Sequence, residues 1–263
     1  MFSIKEVYRP TSIEDAYKTL ISQKNNVILG GTLFLRMGNK RINKALDLTS
    51  LNLSYISEEK EYIEIGAMTS LRELETNKII INNFKEVSEC VKDIIGVQFR
   101  NIATIGGSVF SKYGFSDVIV ALLSYNTEVE LYNGGRIKLE EFLRQPYKKD
   151  LLTKIYIYKD NIKAKYISIR NESSDYPILN VSISNNSGQF KICIGARPQR
   201  ATIAIEASQY ISSNPKTLEN IIKAAEIASE ELVFGSNTRG NSEYRKKIAK
   251  VLVKRAILEV EKC

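Results

Sequence analysis

A chain of 263 residues, 43% hydrophobic and 26% charged, can bury a sizeable core and has room for two or three subdomains. Its formal charge of +8 suits an anionic ligand, an acidic partner or nucleic acid. It has no histidine, which excludes the usual general base, the common serine and cysteine triads, and most zinc and haem sites. An enzyme so composed draws its chemistry from an organic cofactor.

The opening "MFSIKEVYRPTSIEDAYKTL" has no basic segment followed by an apolar one, and no window is apolar enough to span a bilayer, so a soluble, cytoplasmic protein is expected. Cys90, Cys193 and Cys263 are scattered and odd in number, which argues against a disulfide framework.

"SIEDAYKTLIS" reads as a first helix, capped by Ser12 with Asp15 three residues on. "NVILGG" reads as a short buried strand ending in a tight turn, and "KALDLTSL" and "YIEIGAMTS" as further strands. "SLRELETNKIII" and "NNFKEVSECVKDII" read as two helices, the second with Phe84, Val87, Cys90 or Val91 and Ile94 or Ile95 on one face. After a second glycine pair, "DVIVALLSYNTEVELYNGGRIKLEEFL" gives an apolar segment, a strand, an "NGG" turn and a returning strand. "TKIYIYKD", "KAKYISIR", "YPILNVSISNNSGQFKICIGA" and "RATIAIEAS" read as four or five strands of a separate antiparallel sheet, followed by helices at 215–233 and 241–261. In the last helix Tyr244, Ile248, Val251, Leu252 and Ile257 or Leu258 recur at helical spacing, with lysines and arginines on a solvated face. Strands followed by helices imply an α+β protein and not a doubly wound parallel sheet.

Two stretches carry the functional signal. In "ILGGTLF", Gly30 and Gly31 follow a buried run, so the backbone can turn with positive φ, expose consecutive N–H groups to an anion, and add the Thr32 hydroxyl as a donor. In "ATIGGSVFSKYGFSD" the same logic recurs at Thr104, Gly106, Gly107 and Ser108. Neither stretch is a Rossmann fingerprint or a P-loop, and either pair alone could be a plain turn. Two such cradles facing each other could hold a diphosphate.

The order of four motifs resembles the FAD-binding medium subunits of molybdenum hydroxylases, such as those of xanthine dehydrogenase and aerobic carbon monoxide dehydrogenase. They stand here as "ILGGTLFL", "FRNIATIGGSVFSKYGFSDVIVALLSYNTEV", "RNESSDYPILNVSIS" and "SNTRGNSEYRKKIAKVLVKRAI", and span essentially the whole chain. The resemblance implies an α+β, vanillyl-alcohol oxidase (PCMH)-type FAD-binding fold: an N-terminal α/β subdomain over 1–55, a central FAD-binding subdomain over 56–155, and a C-terminal antiparallel sheet with helices over 156–263. It implies that Leu29, Gly30, Gly31, Thr32 and Leu33 bind the FAD diphosphate from one side and Thr104, Ile105, Gly106 and Gly107 from the other. Ser108, in place of the family's usual asparagine, and Ser111, Ser116 and Asp117 fall where the family contacts the adenosine and ribose part. Asp117 could equally serve as the N-cap of the helix that follows it. Arg100 and Asn101 brace the second turn. Leu33 replaces a residue that is often polar, and Ser168, with Lys165 nearby, stands where a lysine is common. Around "FLRQPYKKDLLTK" the match is poor, leaving Leu151 or Leu152 to meet the flavin ring.

The same resemblance implies an electron-transfer subunit that passes electrons from the 2Fe-2S clusters of a small partner subunit through FAD to NAD+ or another acceptor. A large partner subunit would hold the molybdenum cofactor. Each cluster needs four ligands, typically thiolates, so three cysteines cannot build one here. The pattern is nearest the xanthine dehydrogenase-like branch and a purine substrate, with a carbon monoxide dehydrogenase-like or other aromatic or aldehyde hydroxylase as the alternative. A different class, a basic non-enzymatic nucleic-acid binder, would place Tyr156, Tyr158 and Tyr166 among lysines on one sheet face; a half-exposed sheet explains that spacing better, and neither nucleic acid nor membrane insertion is expected.

Overall fold

A computed structural model describes residues 2–197 and 199–262, so Cys263 lies outside the described residues. Strand β1 (Ser3–Tyr8), helix α1 (Ile13–Ser22), strand β2 (Val27–Ile28), the one-turn helix α2 (Leu33–Arg36) and strand β3 (Arg41–Leu46) form the N-terminal unit. Its parallel sheet is ordered β1-β3-β2. The Ser12 hydroxyl accepts the Asp15 amide at 3.0 Å, as the sequence predicts, and Ala16 and Leu20 of α1 pack with Leu46, Leu48, Leu53 and Leu151. β1 has no signature in the sequence because it is an edge strand that buries almost nothing.

The central unit holds strands β4 (Ile56–Glu58) and β5 (Tyr62–Gly66), then helices α3 (Leu71–Thr76), α4 (Lys78–Asn83), α5 (Lys85–Val91), α6 (Val97–Ile102), α7 (Ile105–Phe110) and α8 (Asp117–Ser124). The hairpin β6 (Thr127–Leu131) and β7 (Gly135–Lys138), helix α9 (Leu139–Arg144) and strand β8 (Leu152–Tyr158) complete it. The single helix expected over "SLRELETNKIII" is two. Asn77 is extended, which ends α3, and its side chain accepts the Ile79 amide, which starts α4.

Strand β8 corrects a second expectation. It pairs with β5 and β6 in an antiparallel sheet ordered β4-β5-β8-β6-β7, and does not join the C-terminal strands. Ile155 and Ile157 alternate into the central core, so the strand runs across residue 155.

The C-terminal unit has strands β9 (Ile162–Arg170), β10 (Pro177–Asn186), β11 (Gln189–Gly195) and β12 (Thr202–Ile203), in an antiparallel sheet ordered β12-β11-β10-β9. Helices α10 (Ile205–Ser213), α11 (Leu218–Glu231) and α12 (Ser242–Lys262) pack on one face, and α5 and α8 of the central unit pack against the same sheet. "RATIAIEAS" yields only two strand residues before α10. The helix buries Ala207 and Ile211, and its first amides, of Glu206 and Ala207, are capped by the Glu231 carboxylate from α11, a partner that local sequence cannot reveal. On α12 the buried stripe is Arg245, Ala249, Leu252, Val253, Ala256, Ile257 and Val260, whereas Tyr244 and Val251 are exposed. Ala249 and Ala256, which the spacing of larger apolar residues does not single out, are fully buried in this stripe.

Candidate functional site

The two glycine stretches meet although they are built differently. The first is a turn with positive φ, as expected: Gly31 has φ +86° and Thr32 has φ 60°. A β-branched residue in the left-handed region is costly, and such strain collects at ligand clamps. β2 ends as the Leu29 amide bonds to the Leu46 carbonyl; the amides of Gly30, Gly31, Thr32 and Leu33 then find no acceptor among the described residues. The Thr32 hydroxyl caps nothing. Four consecutive free donors at a strained turn have the geometry of an anion cradle.

The second stretch is helical, which corrects the expectation of a second turn. Thr104 is the N-cap of α7, and its hydroxyl accepts the Gly107 amide at 3.1 Å. The Gly106 amide bonds to the Ala67 carbonyl and the Ser108 amide to the Thr104 carbonyl. These glycines therefore offer closeness and not donors. A Cβ on Gly107 would lie 2.8 Å from the Gly30 carbonyl oxygen, and one on Gly106 would lie 2.5 Å from the Ala67 carbonyl oxygen. Behind them Arg100 grips Glu75 through Nε and Nη2 at 2.8 and 3.3 Å and donates to the Ile94 carbonyl, so it braces the entry to α7.

Between the two stretches runs a cleft of about 470 Å³. Of the residues expected to bind cofactor, Gly30, Thr32, Leu33, Thr104, Gly106, Gly107, Ser108, Ser111 and Leu152 line it, as does Leu151. The Ser108 and Ser111 hydroxyls donate back to the carbonyls of Thr104 and Ser108, leaving their oxygens as acceptors. Leu29, Gly31, Ile105, Ser116 and Asp117 lie outside the lining. Lys165 and Ser168, on β9, also lie outside it.

Ser116, not Asp117, is the N-cap of α8, its hydroxyl accepting the Ile119 amide. Asp117 is turned into the protein, where Oδ1 meets Arg170 Nη2 at 3.0 Å, Asn180 Nδ2 at 2.9 Å and the Tyr166 hydroxyl. Arg170 belongs to the third motif, so the second and third motifs meet as a buried weld between the central and C-terminal units. The fourth is a knot around Arg245, 1% exposed, which donates to the carbonyls of Ile178, Gly235 and Gly240 and to Asn237 Oδ1.

The sequence reading missed Phe34, Phe99, Phe110, Tyr147, Lys40 and Lys149, all of which line the cleft. The available signal was an aromatic residue three or four positions after each glycine pair, on a one-turn and a two-turn helix. Tyr147 and Lys149 lie on the strap between α9 and β8; the Lys149 ammonium donates to the Gln23 carbonyl at 2.7 Å and the Lys24 carbonyl at 3.2 Å, tying the strap to the N-terminal unit. Burial lowers the pKa of Lys149 and raises that of Tyr147. Aromatic walls, two lysines and four free amides suit an elongated ligand with an anionic middle and flat apolar ends.

The three tyrosines of the nucleic-acid alternative do not share one sheet face. Tyr156 and Tyr158 lie on the central sheet and donate to Glu130 and Glu128, while Tyr166 lies on the other sheet and is spent on Asp117.

Comparison with known proteins agrees with this geometry. Residues 2–158 match the FAD binding domain in molybdopterin dehydrogenase, and residues 164–260 match the CO dehydrogenase flavoprotein C-terminal domain. The chain is 26% identical to the glyceraldehyde dehydrogenase medium chain of Sulfolobus acidocaldarius, covering 96% of both chains. It is 23% identical to the nicotine 6-hydroxylase medium subunit of Paenarthrobacter nicotinovorans, covering 95% of both. Among solved structures, CO dehydrogenase from Oligotropha carboxidovorans superposes with a TM-score of 0.90 at 22% identity, over 98% of this chain and 97% of that one. That likeness establishes the α+β, PCMH-type fold. The chain belongs to the FAD-binding flavoprotein family of the molybdopterin dehydrogenases.

Proposed function

We propose that this FAD-binding chain is the electron-transfer subunit of a multi-subunit molybdenum hydroxylase, working beside a large subunit that holds the molybdenum cofactor and a small subunit that holds 2Fe-2S clusters. The carrying observation is the run of four unpaired amides, Gly30 to Leu33, set in backbone contact with Gly107 on the rim of an aromatic-walled cleft. These residues fit the cofactor: the amides and Lys40 answer a diphosphate, and Phe34, Phe99, Phe110, Leu151 and Leu152 keep water from the flat rings. FAD, when bound, can take up electrons singly and release them singly or as hydride. No side chain here has to act as acid or base, in keeping with the absence of histidine.

The direct contact set we propose is Gly30, Thr32, Leu33, Thr104, Gly106, Gly107, Ser108, Ser111 and Leu152, with the Gly31 amide completing the run of donors and Leu29, Ile105, Ser116 and Asp117 shaping the walls from behind. The relatives are named for glyceraldehyde, nicotine, nicotinate and xanthine, so the substrate is not written in this chain. In this reading the electrons leave FAD for NAD+ or another acceptor. The test is co-expression with the two partner subunits followed by anaerobic mixing with candidate substrates. Flavin bleaching that requires both partners, and is reversed by NAD+, supports the reading; a chain that forms no complex with them, or whose flavin stays oxidised in it, overturns it.

A further inference from the structure

A second cavity, of about 560 Å³, shares Tyr113 with the lining of the first cleft. Its walls come from the loop after α7 (Lys112 to Gly114), from α9 (Glu140, Leu143, Arg144) and from the segment joining β11 to β12, which brings Arg197 and Arg200. Lys112 takes a left-handed backbone (φ 52°). Its ammonium donates to the Phe142 and Gln145 carbonyls and lies 3.9 Å from the centre of the Phe142 ring. Arg197 donates to the Val233 and Arg200 carbonyls, and Arg200 to the Leu143 and Gln145 carbonyls.

The charge around this cavity does not balance. Among the described residues four cations line it against one carboxylate, Glu140, and that carboxylate is bridged to Arg144. Lys112 and Arg197 are 7% and 6% exposed, yet among the described residues their hydrogen bonds, and those of Arg200, go to neutral carbonyls. The buried Nε of Arg197 has no hydrogen-bond partner among the described residues. Buried cations are ordinarily paired with carboxylates, as Arg170 is with Asp117 in this same protein. Burial and the nearby Arg200 charge lower the pKa of Lys112, the effect a bound anion would reverse.

We propose that this cavity binds an anion of the phosphate class with two or more negative charges, held by Lys112, Arg197 and Arg200, with Tyr113 and Leu143 against its organic part. Two guanidinium groups and an ammonium around one opening match a phosphate group with several acceptor oxygens. The volume is in the range of small-ligand sites. The site goes beyond the flavin reading and does not rest on it.

The test is a calorimetric titration of the FAD-saturated full chain with pyrophosphate and with ADP, at low and at physiological salt. Saturable binding by the wild type, weakened roughly tenfold or more in Arg200→Ala and in Lys112→Met but not in the remote Lys18→Ala, is expected. Arg200 is exposed, so its variant carries the test even if Lys112→Met does not fold. Absence of saturable binding in the wild type, or equal binding by Arg200→Ala, would leave Lys112 and Arg200 as caps of the C-terminal carbonyls of α9 and Arg197 as a tie to the Val233 carbonyl, and overturn the site. If the chain holds no FAD, the flavin reading fails by itself, and the comparison of wild type with Arg200→Ala still decides this one.

Discussion

A Cβ built on Gly107 would lie 2.8 Å from the carbonyl oxygen of Gly30, and one built on Gly30 would lie 3.3 Å from the Thr104 hydroxyl. The glycines let two distant backbone segments touch, so that the free amides of one sit beside the helix of the other. Gly107→Ala should push the first turn outward and weaken FAD retention roughly tenfold, at a stability cost of about 1–3 kcal/mol. Gly31→Ala should fail more broadly, because its Cβ would meet the Ile102 carbonyl at 2.3 Å and its φ is +86°. Thermal melts beside FAD titrations separate the two effects.

Asp117 is predicted to be a weld. Asp117→Ala leaves Arg170, 7% exposed at its side chain, without its counter-charge, and should cost on the order of 3–5 kcal/mol in denaturant unfolding. Asp117→Ala with Arg170→Met should recover part of that loss. Under conditions where the single variant stays folded, its FAD affinity should remain within a few-fold of wild type; a selective loss of flavin would instead make Asp117 a direct ligand.

Arg245→Met should destabilise by about 3 kcal/mol or more, since three carbonyls and Asn237 Oδ1 lose their donor in a buried setting. Arg245→Lys should not rescue it, because an ammonium cannot reproduce the planar fork. Equal melting temperatures for the lysine variant and wild type would contradict the knot.

Glu75 gives a pH signature. Burial would raise its pKa, but Arg100 and Arg72 outweigh that and hold it below the ordinary 4.5. A carboxylate depressed in the folded state binds its proton less readily there than when unfolded. Its stabilisation is therefore complete above pH 4.5 and is lost as the pH falls below it. Glu75→Gln should flatten the acid limb of stability below about pH 4.5 and loosen the entry to α7; an unchanged acid limb would count against the brace.

Much of this was legible in the residues. Ser12 and the glycine pair after β2 are local signals, and the structure keeps both. What escaped depends on distant partners. The Gly106–Gly107 pair looks like a turn in sequence, yet Ala67, on the segment after β5, takes the Gly106 amide and lets a helix start there. Asp117 follows an N-cap serine and precedes an apolar run, so nothing nearby announces Arg170. β8 alternates like its C-terminal neighbours, and only its pairing with β5 and β6 assigns it to the central sheet.

The most direct measurement of the central claim is the visible spectrum of FAD-supplemented, desalted protein, wild type beside Gly107→Asp, with circular dichroism to confirm that both are folded. The account predicts flavin bands in the wild type and none in the variant, whose carboxylate would press on Gly30 and repel a diphosphate. Flavin retained equally by a folded Gly107→Asp variant, or no flavin in the wild type with or without its partner subunits, would contradict it.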